Sequence, residues 1–232
     1  YKRQALSLLP AVSPRRTTSA LNRMGLILFC AEQGFAGAFS ERVLDSASAD
    51  MAGAMTFVIG TRGLVVARER GMEPSWATPM ATHVDAVPSL ANDIADALYE
   101  RFVDGALSAI QMIVPRSTPA GSIRIERRSL LPLDTASLQG PSPRQPPLTT
   151  LSPDELLERL TAEYVYARLC EAVMHTYEAE NQARMMTMTA ARNNIETRLG
   201  KLAQREQQLR QEEITSEIIE LAAGAEASRG TR

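Results

Sequence analysis

The C-terminal third of the chain most constrains its fold, because no proline interrupts it between Pro153 and residue 226. Proline lacks an amide donor and clashes with the preceding turn, so a long helix requires its absence. The segment opens with Ser152-Pro153-Asp154-Glu155: serine is a good N-cap, proline suits the first helical position and glutamate completes a capping box. We therefore predict a continuous helix over 152–226, followed by a tail at 227–232. At ~1.5 Å per residue this helix would be roughly 110 Å long.

An apolar stripe runs along the second half of this predicted helix. Its members step alternately by three and four residues, with Arg192 and Glu206 as polar interruptions. The stripe consists of Met185, Met188, Ile195, Leu199, Leu202 and Leu209. A seven-residue repeat keeps such a seam facing a partner helix in a left-handed coiled coil. We expect the partner to be another chain, a second copy or an N-terminal helix that this sequence lacks; the alternative is that the stripe belongs to the core of a local bundle.

Residues 25–131 alternate short apolar runs with longer amphipathic segments. Continuous apolar runs suit strands that are covered on both faces. The predicted strands are 25–30, 55–59, 109–114 and 122–128, and the predicted helices are 38–48, 64–70 and 89–104. We expect Ser89 to cap the third helix, Pro115 to end the third strand, and the fourth strand to be an edge or antiparallel strand. The predicted fold class is α/β, a three-layer Rossmann-like domain plus a long C-terminal helix that forms half of an antiparallel coiled coil.

Two further segments complete the domain organisation. Residues 132–151 are predicted to be a proline-rich linker, since prolines crowd the region. Residues 1–24 are interrupted by Pro10 and Pro14 and are expected to be an N-terminal remnant or connector. Because the chain begins at Tyr1 rather than at methionine, we expect a preceding segment to have been removed or left out.

Composition and charge exclude several classes of function. The net charge is −2 and no dense run of Lys and Arg occurs, so we expect no nucleic-acid partner. No apolar run approaches the ~20 residues that span a bilayer. Cys30 and Cys170 lie far apart in apolar surroundings, so we expect them to be buried thiols in a reducing compartment.

Catalytic and ligand motifs are missing from the sequence. There is no P-loop, the two histidines are far apart, and no Ser/His/Asp set stands out, so we predict no catalytic residue, metal or cofactor. The turn after the first strand contains Gly34 and Gly37 at G-x-x-G spacing, short of the G-x-G-x-x-G fingerprint. An enzyme that binds a nucleotide at this turn therefore stays open as an alternative, which calorimetry with NAD, FAD and ATP would distinguish.

Four segments resemble the gamma subunits of F-type ATP synthases. Residues 180–188, E-N-Q-A-R-M-M-T-M, resemble the family's E-x-x-A-R-M-x-A-M, and residues 210–225 resemble its ending, R-Q-A-x-I-T-x-E-[IL]-x-E-I-V-x-G-A. Residues 31–39 resemble S-D-[RK]-G-L-C-G-x-[FL], and residues 60–63 resemble G-x-[KR]-G. Glu32, Ala36 and Glu212 stand where the family has Asp, Cys and Ala, which resembles the alternate, sodium-linked branch.

The resemblance implies a noncatalytic rotor-shaft subunit of a proton- or sodium-transporting ATP synthase. Its partners would be the alpha and beta subunits of the catalytic ring, the epsilon subunit, the membrane c-ring and its own missing N-terminal helix, at the cytoplasmic face of a bacterial inner membrane. Four residues would contact beta-subunit loops: Arg210, Gln211, Thr215 and Glu217. A non-rotary coiled-coil scaffold is the other alternative, and light scattering would distinguish it because an intramolecular coil leaves a monomer.

Overall fold

The computed structural model of the chain describes residues 23–51, 53–103, 106–119, 121–133 and 150–229. The predicted N-terminal remnant and proline-rich linker therefore lie largely outside the described residues. The strands are β1 Arg23–Phe29, β2 Met55–Ile59, β3 Trp76–Thr78, β4 Leu107–Ser117 and β5 Ile123–Leu131. The helices are α1 Phe39–Ala47, α2 Thr61–Glu69, α3 Val87–Val103 and α4 Pro153–Arg229, with a 3₁₀ turn at Val84–Ala86.

The five strands form one mixed sheet in the order β3-β2-β1-β4-β5. All neighbours are parallel except β4 and β5, which are antiparallel. β1 occupies the centre of the sheet, where Leu28 lies opposite Val58 on β2 and Ile113 on β4. The predicted antiparallel edge strand is confirmed as β5.

Helices cover both faces of the sheet. Alternate residues of β1 point to opposite sides, and each side has its own core. Leu26 and Leu28 pack with α1 and α2, whereas Ile27 and Phe29 pack with α3 and the first part of α4. The predicted three-layer α/β domain with a long C-terminal helix is confirmed. The coiled-coil half of that prediction concerns a partner helix and stays a prediction.

The beginning of α4 agrees with the capping signal in the sequence. Ser152 Oγ accepts a hydrogen bond from the Glu155 amide at 3.3 Å, and the Ser152 carbonyl accepts one from the Leu156 amide at 2.9 Å. Pro153 is the first helical residue, where its missing N–H costs nothing.

Some sequence predictions are wrong in detail. The strand β3 has only three residues and was not predicted, because so short a segment gives no periodicity. The helix α3 begins at Val87 after the 3₁₀ turn, so Ser89 lies inside it and does not cap it. Pro115 does not end β4, since it lies beyond the residues paired with β1 and so lacks a ladder partner on that side. The helix α4 ends at Arg229 rather than at 226.

By its internal contacts the chain divides into two units, residues 1–185 and residues 186–232. The first contains the sheet, its helices and the beginning of α4. In the second, every residue from 188 to 224 is exposed. Within the described ranges, no helix is both long enough and apolar enough to cross a bilayer. Both cysteines are free; Cys30 is buried as expected, whereas Cys170 is only half-buried.

Candidate functional site

The first part of α4 packs on the sheet through a stripe of mostly small side chains. The buried residues of this stripe are Leu169, Ala172, Val173, Thr176, Ala179 and Ala183. Thr176 satisfies its hydroxyl within the helix, since Oγ1 donates to the Ala172 carbonyl at 2.8 Å. Small side chains let a helix approach its neighbours closely, so polar groups at the edges of the stripe come within reach of the α/β domain.

A buried carboxylate on α4 holds the turn that follows β1. Glu180 is only 4% exposed. Its Oε2 accepts from the Glu32 amide at 3.1 Å and its Oε1 from the Gln33 amide at 3.0 Å. The guanidinium of Arg184 pairs with the same carboxylate. The Nε atom of Arg184 donates to the Gly34 carbonyl at 3.5 Å. The buried charge is thus both paired and hydrogen-bonded, as a buried carboxylate must be to avoid a large desolvation cost.

A second carboxylate, that of Glu32, ties this turn to the turn after β2. Its oxygens accept from the Thr61 amide at 2.9 Å and the Thr61 hydroxyl at 2.7 Å. They also accept from the Met80 amide at 2.6 Å. Gly60 has φ 111° and would place a Cβ 2.6 Å from the Ala31 carbonyl oxygen, so this close approach requires glycine. The two segments that resemble a family signature therefore touch each other, and Glu180 fastens one of them to α4.

The opposite flank of α4 is held by a separate polar cluster. Arg128 on β5 donates to Glu171 on α4 at 2.9 Å and to Glu126 at 2.6 Å. Gln182 accepts a hydrogen bond from the Ser117 hydroxyl of β4. The hydrogen bond from Arg128 lowers the pKa of Glu126. Burial by itself raises the pKa of Glu171, but the hydrogen bond from Arg128 and the charges of Arg168 and Arg128 outweigh it and bring the pKa below its ordinary value.

The G-x-x-G turn is not arranged as a phosphate cradle. Phosphate-binding turns present free backbone amides to the ligand, whereas here the amides of residues 32 and 33 already donate to Glu180. A cavity of about 370 Å³ lies beside the turn, and Glu41 is among the residues that line it. Arg62 lines the same cavity, so the charge of its lining does not decide the matter, whereas the occupied amides do. The contacts favour a docking point for α4 over a nucleotide site.

The predicted seam residues are exposed on α4. Their exposed fractions range from 44% for Met188 to 66% for Leu202. A monomer rarely leaves so long a row of large apolar side chains in water, and such rows mark interaction surfaces. All six seam side chains are exposed among the described residues, which argues against the local-bundle alternative.

The four residues expected to contact a partner lie on two faces of α4. Arg210 and Glu217 are seven residues apart and share one side, whereas Gln211 and Thr215 are four apart and share a neighbouring side. Thr215 Oγ1 donates to the Gln211 carbonyl at 2.7 Å.

Beyond Leu209 the apolar stripe changes face, a feature that the sequence reasoning missed. The next large apolar residues are Ile214, Ile218, Ile219 and Leu221, all of them exposed. The step of five residues from Leu209 to Ile214 rotates the direction of the side chain by about 140° on a helix of 3.6 residues per turn. The spacing was visible in the sequence, but only as a departure from the heptad.

Sequence reasoning also missed the roles of Glu32 and Glu180. Both lie in segments that carry the family resemblance, yet 148 residues separate them in the chain. The one available signal was an acidic residue four positions before an arginine in a helix, which more often marks an exposed ion pair.

Comparisons with known proteins agree with these features. A family model described as ATP synthase matches residues 3–227. The ATP synthase gamma chain of Thermobifida fusca is 26% identical over 98% of this chain and 82% of its own length. The gamma chain of Clostridium perfringens is 24% identical over 88% of this chain and 72% of its own length.

Solved structures share the fold. A chain of the Euglena gracilis mitochondrial ATP synthase, in a structure of its OSCP, F1 and c-ring, aligns with a TM-score of 0.62 at 15% identity over 89% of this chain and 73% of that chain. A chain of the central stalk and c-ring of the Tetrahymena thermophila mitochondrial ATP synthase aligns with a TM-score of 0.56 at 14% identity, over 82% of this chain and 85% of that chain.

Proposed function

The chain belongs to the gamma-chain family of F-type ATP synthases, and we propose that α4 is a rotating shaft inside the catalytic ring. It is a noncatalytic rotor-stalk subunit, so its task is mechanical. The ring of alpha and beta subunits carries out the chemistry. Rotation of an asymmetric rod would bring each beta subunit in turn through different conformations, and ion flow at the c-ring would drive that rotation.

One observation carries this proposal: α4 presents a long row of exposed apolar side chains in a chain of this family. A single helix of 77 residues bends easily, whereas two helices wound together resist bending and twisting. The heptad spacing of Met188, Ile195, Leu199, Leu202 and Leu209 suits such a pair. We propose that the mate is an N-terminal helix of the same protein, wound antiparallel to α4.

The polar residues beyond the seam are proposed to contact beta-subunit loops. Arg210 and Glu217 offer opposite charges on one side of α4, and Gln211 and Thr215 offer neutral donors and acceptors on the next. Polar contacts of this kind can be exchanged at each step of rotation without burying an unpaired charge for long. The α/β domain is proposed to lie beside the epsilon subunit and the c-ring, at the cytoplasmic face of a bacterial inner membrane.

Reconstitution tests the rotary function. The full-length protein that contains this sequence is mixed with alpha and beta subunits, and rotation of a bead attached to the α/β domain is recorded during ATP hydrolysis. We expect unidirectional rotation. Arg210→Ala and Glu217→Ala should each lower the torque, whereas Arg205→Ala, on the same exposed helix, is the matched control. An ATPase rate no higher than that of the bare ring, without bead rotation, would overturn the proposal.

The scaffold alternative predicts a different result for the same protein. If the seam at 185–209 served self-association, the full-length protein would form a stable dimer in light scattering. The rotor proposal predicts a monomer, because the internal helix covers the seam.

A further inference from the structure

Building on the proposed rotary function, we propose that two polar clamps on opposite flanks of α4 lock this helix against rotation about its own axis and carry torque between the helix and the α/β domain. Glu180 with Arg184 forms one clamp, and Glu171 with Gln182 forms the other. All four are positioning residues, since none contacts a reacting group.

The helical geometry separates the two clamps. Gln182 follows Glu180 by two residues and therefore points about 200° away around the helix. Glu171 precedes Gln182 by eleven residues and lies within about 20° of it in direction. Arg184 lies about 40° from Glu180. The buried stripe extends from about 20° on one side of Glu180, at Val173, to about 100° on its other side, at Ala179. Gln182 and Glu171 lie about 60–80° beyond that second edge, and Arg184 lies just beyond the first, so the helix is held at both edges of its contact with the sheet.

The two clamps hold different parts of the α/β domain. Glu180 and Arg184 fasten α4 to the turn after β1, through the amides of Glu32 and Gln33 and the carbonyl of Gly34. Glu171 is held by Arg128 of β5, and Gln182 by Ser117 of β4. A torque in either direction would pull at least one clamp away from its partner.

Apolar packing alone would resist such a torque poorly. Half of the stripe is alanine and the rest is one leucine, one valine and one threonine, and contacts between such side chains have little directional preference. Hydrogen bonds are directional. A rotation of about 20° at a radius of about 5 Å displaces a side-chain atom by roughly 2 Å, which takes a bond at 3 Å out of range. The charge on buried Glu180 makes that displacement costly, because the carboxylate would lose its donors without gaining water.

Measuring the torsional stiffness of the rotor in the assembled rotary complex, for the parent protein and for variants of the clamp residues, tests the clamps. The catalytic ring is fixed, a bead is attached to the α/β domain, and the angular width of each dwell is measured together with the rate of ATP hydrolysis. Glu180→Gln keeps the shape of the side chain but replaces one acceptor by a donor that faces an amide. Glu171→Gln weakens the other clamp. Glu178→Gln is the matched control, since that carboxylate is 63% exposed on the same helix.

We expect Glu180→Gln and Glu171→Gln each to lower the stiffness, and the double variant to lower it by more than the sum of the single effects, to roughly half of the parent value. Hydrolysis should stay within about two-fold of the parent rate, because the tip of α4 is unchanged. Unchanged stiffness in the double variant would overturn the clamps. Fewer assembled complexes with normal stiffness would also overturn them, because a purely structural role would do that. A parent complex without rotation would instead refute the proposed function.

Discussion

Glu32 and Glu180 show how single side chains can join distant parts of a chain. Each carboxylate accepts hydrogen bonds from backbone amides that the sheet and helices leave without partners, and such amides are costly to bury unpaired. The resemblance drew attention to both segments but gave no partner for either residue. A sequence shows a glutamate near a turn, whereas the pairing depends on how α4 lies across the sheet.

Gly63 provides a test at the same scale. A Cβ at this position would lie 2.0 Å from the Cβ of Cys30 on the buried strand end. We predict that Gly63→Ala lowers the free energy of unfolding by about 2 kcal/mol or more, because neither backbone can move away. Urea unfolding followed by circular dichroism measures this change.

Gly200→Ala is the matched control for this substitution. Nothing lies within 4 Å of a Cβ there, so the exposed helix should gain up to about 1 kcal/mol of helix propensity. Equal unfolding midpoints for the parent and Gly63→Ala would contradict the close contact of Gly63 with Cys30.

The cluster around Arg128 predicts a dependence of stability on pH. Glu126 and Glu171 have pKa values below the ordinary 4.5 in the folded chain. Their contribution is therefore fully present above that value and is lost as the pH falls through the folded pKa values. We predict that Arg128→Met flattens the fall in unfolding free energy between about pH 5 and pH 3.

Chemical denaturation at a series of pH values measures that slope. Arg192→Met removes an exposed pair with Glu196 and serves as control, since exposed pairs contribute little. A slope for Arg128→Met as steep as that of the parent protein would refute the coupling.

At the scale of elements, the regular parts of this chain were predictable. The strands β1, β2 and β4 are buried on both faces and therefore appear as continuous apolar runs. The capping residues predicted where α4 begins, and the absence of proline predicted its great length. The strand β3 was missed because three residues at a sheet edge carry no pattern, and its pairing with β2 depends on the rest of the sheet.

The seam gives a prediction that depends on the presence of the mate. In the present chain Leu202 is 66% exposed, so Leu202→Gln should change the unfolding free energy by less than about 0.5 kcal/mol. In a protein in which a second helix pairs with the seam, the same change should cost about 2 kcal/mol or more, because the side chain would then be buried.

Thermal unfolding of both proteins compares these two costs. Arg205→Gln, on the same helix, should be neutral in each. An equal effect of Leu202→Gln in the two proteins would show that the seam has no internal mate.

At the scale of the whole molecule, the α/β domain has the layered fold of many nucleotide-binding proteins, but the turn after β1 offers no free amides at residues 32 and 33 for a phosphate group. The amides of Glu32 and Gln33 already donate to Glu180. We predict that NAD, FAD and ATP bind the full chain with Kd values weaker than about 1 mM. Isothermal calorimetry measures the affinity. A Kd below about 10 μM for any of the three would restore the enzyme alternative.

The function followed from the sequence more readily than the site did. Residues 180–188 and 210–225 carry a specific pattern, and the family match over residues 3–227 agrees with it. Which side chains meet a partner depends on surfaces outside this chain. The positions of Arg210, Gln211, Thr215 and Glu217 on α4 are visible, while their contacts stay a prediction.

The change of face between Leu209 and Ile214 has a geometric consequence. The number of residues in the segment 210–213 fixes the angle around the helix between the seam and the apolar side chains that begin at Ile214. One inserted residue would turn the tip by about 100° relative to the seam without altering any side chain. The relative orientation of these two apolar faces of α4 is therefore set by the number of residues between them. Insertions or deletions here should impair function more than substitutions do.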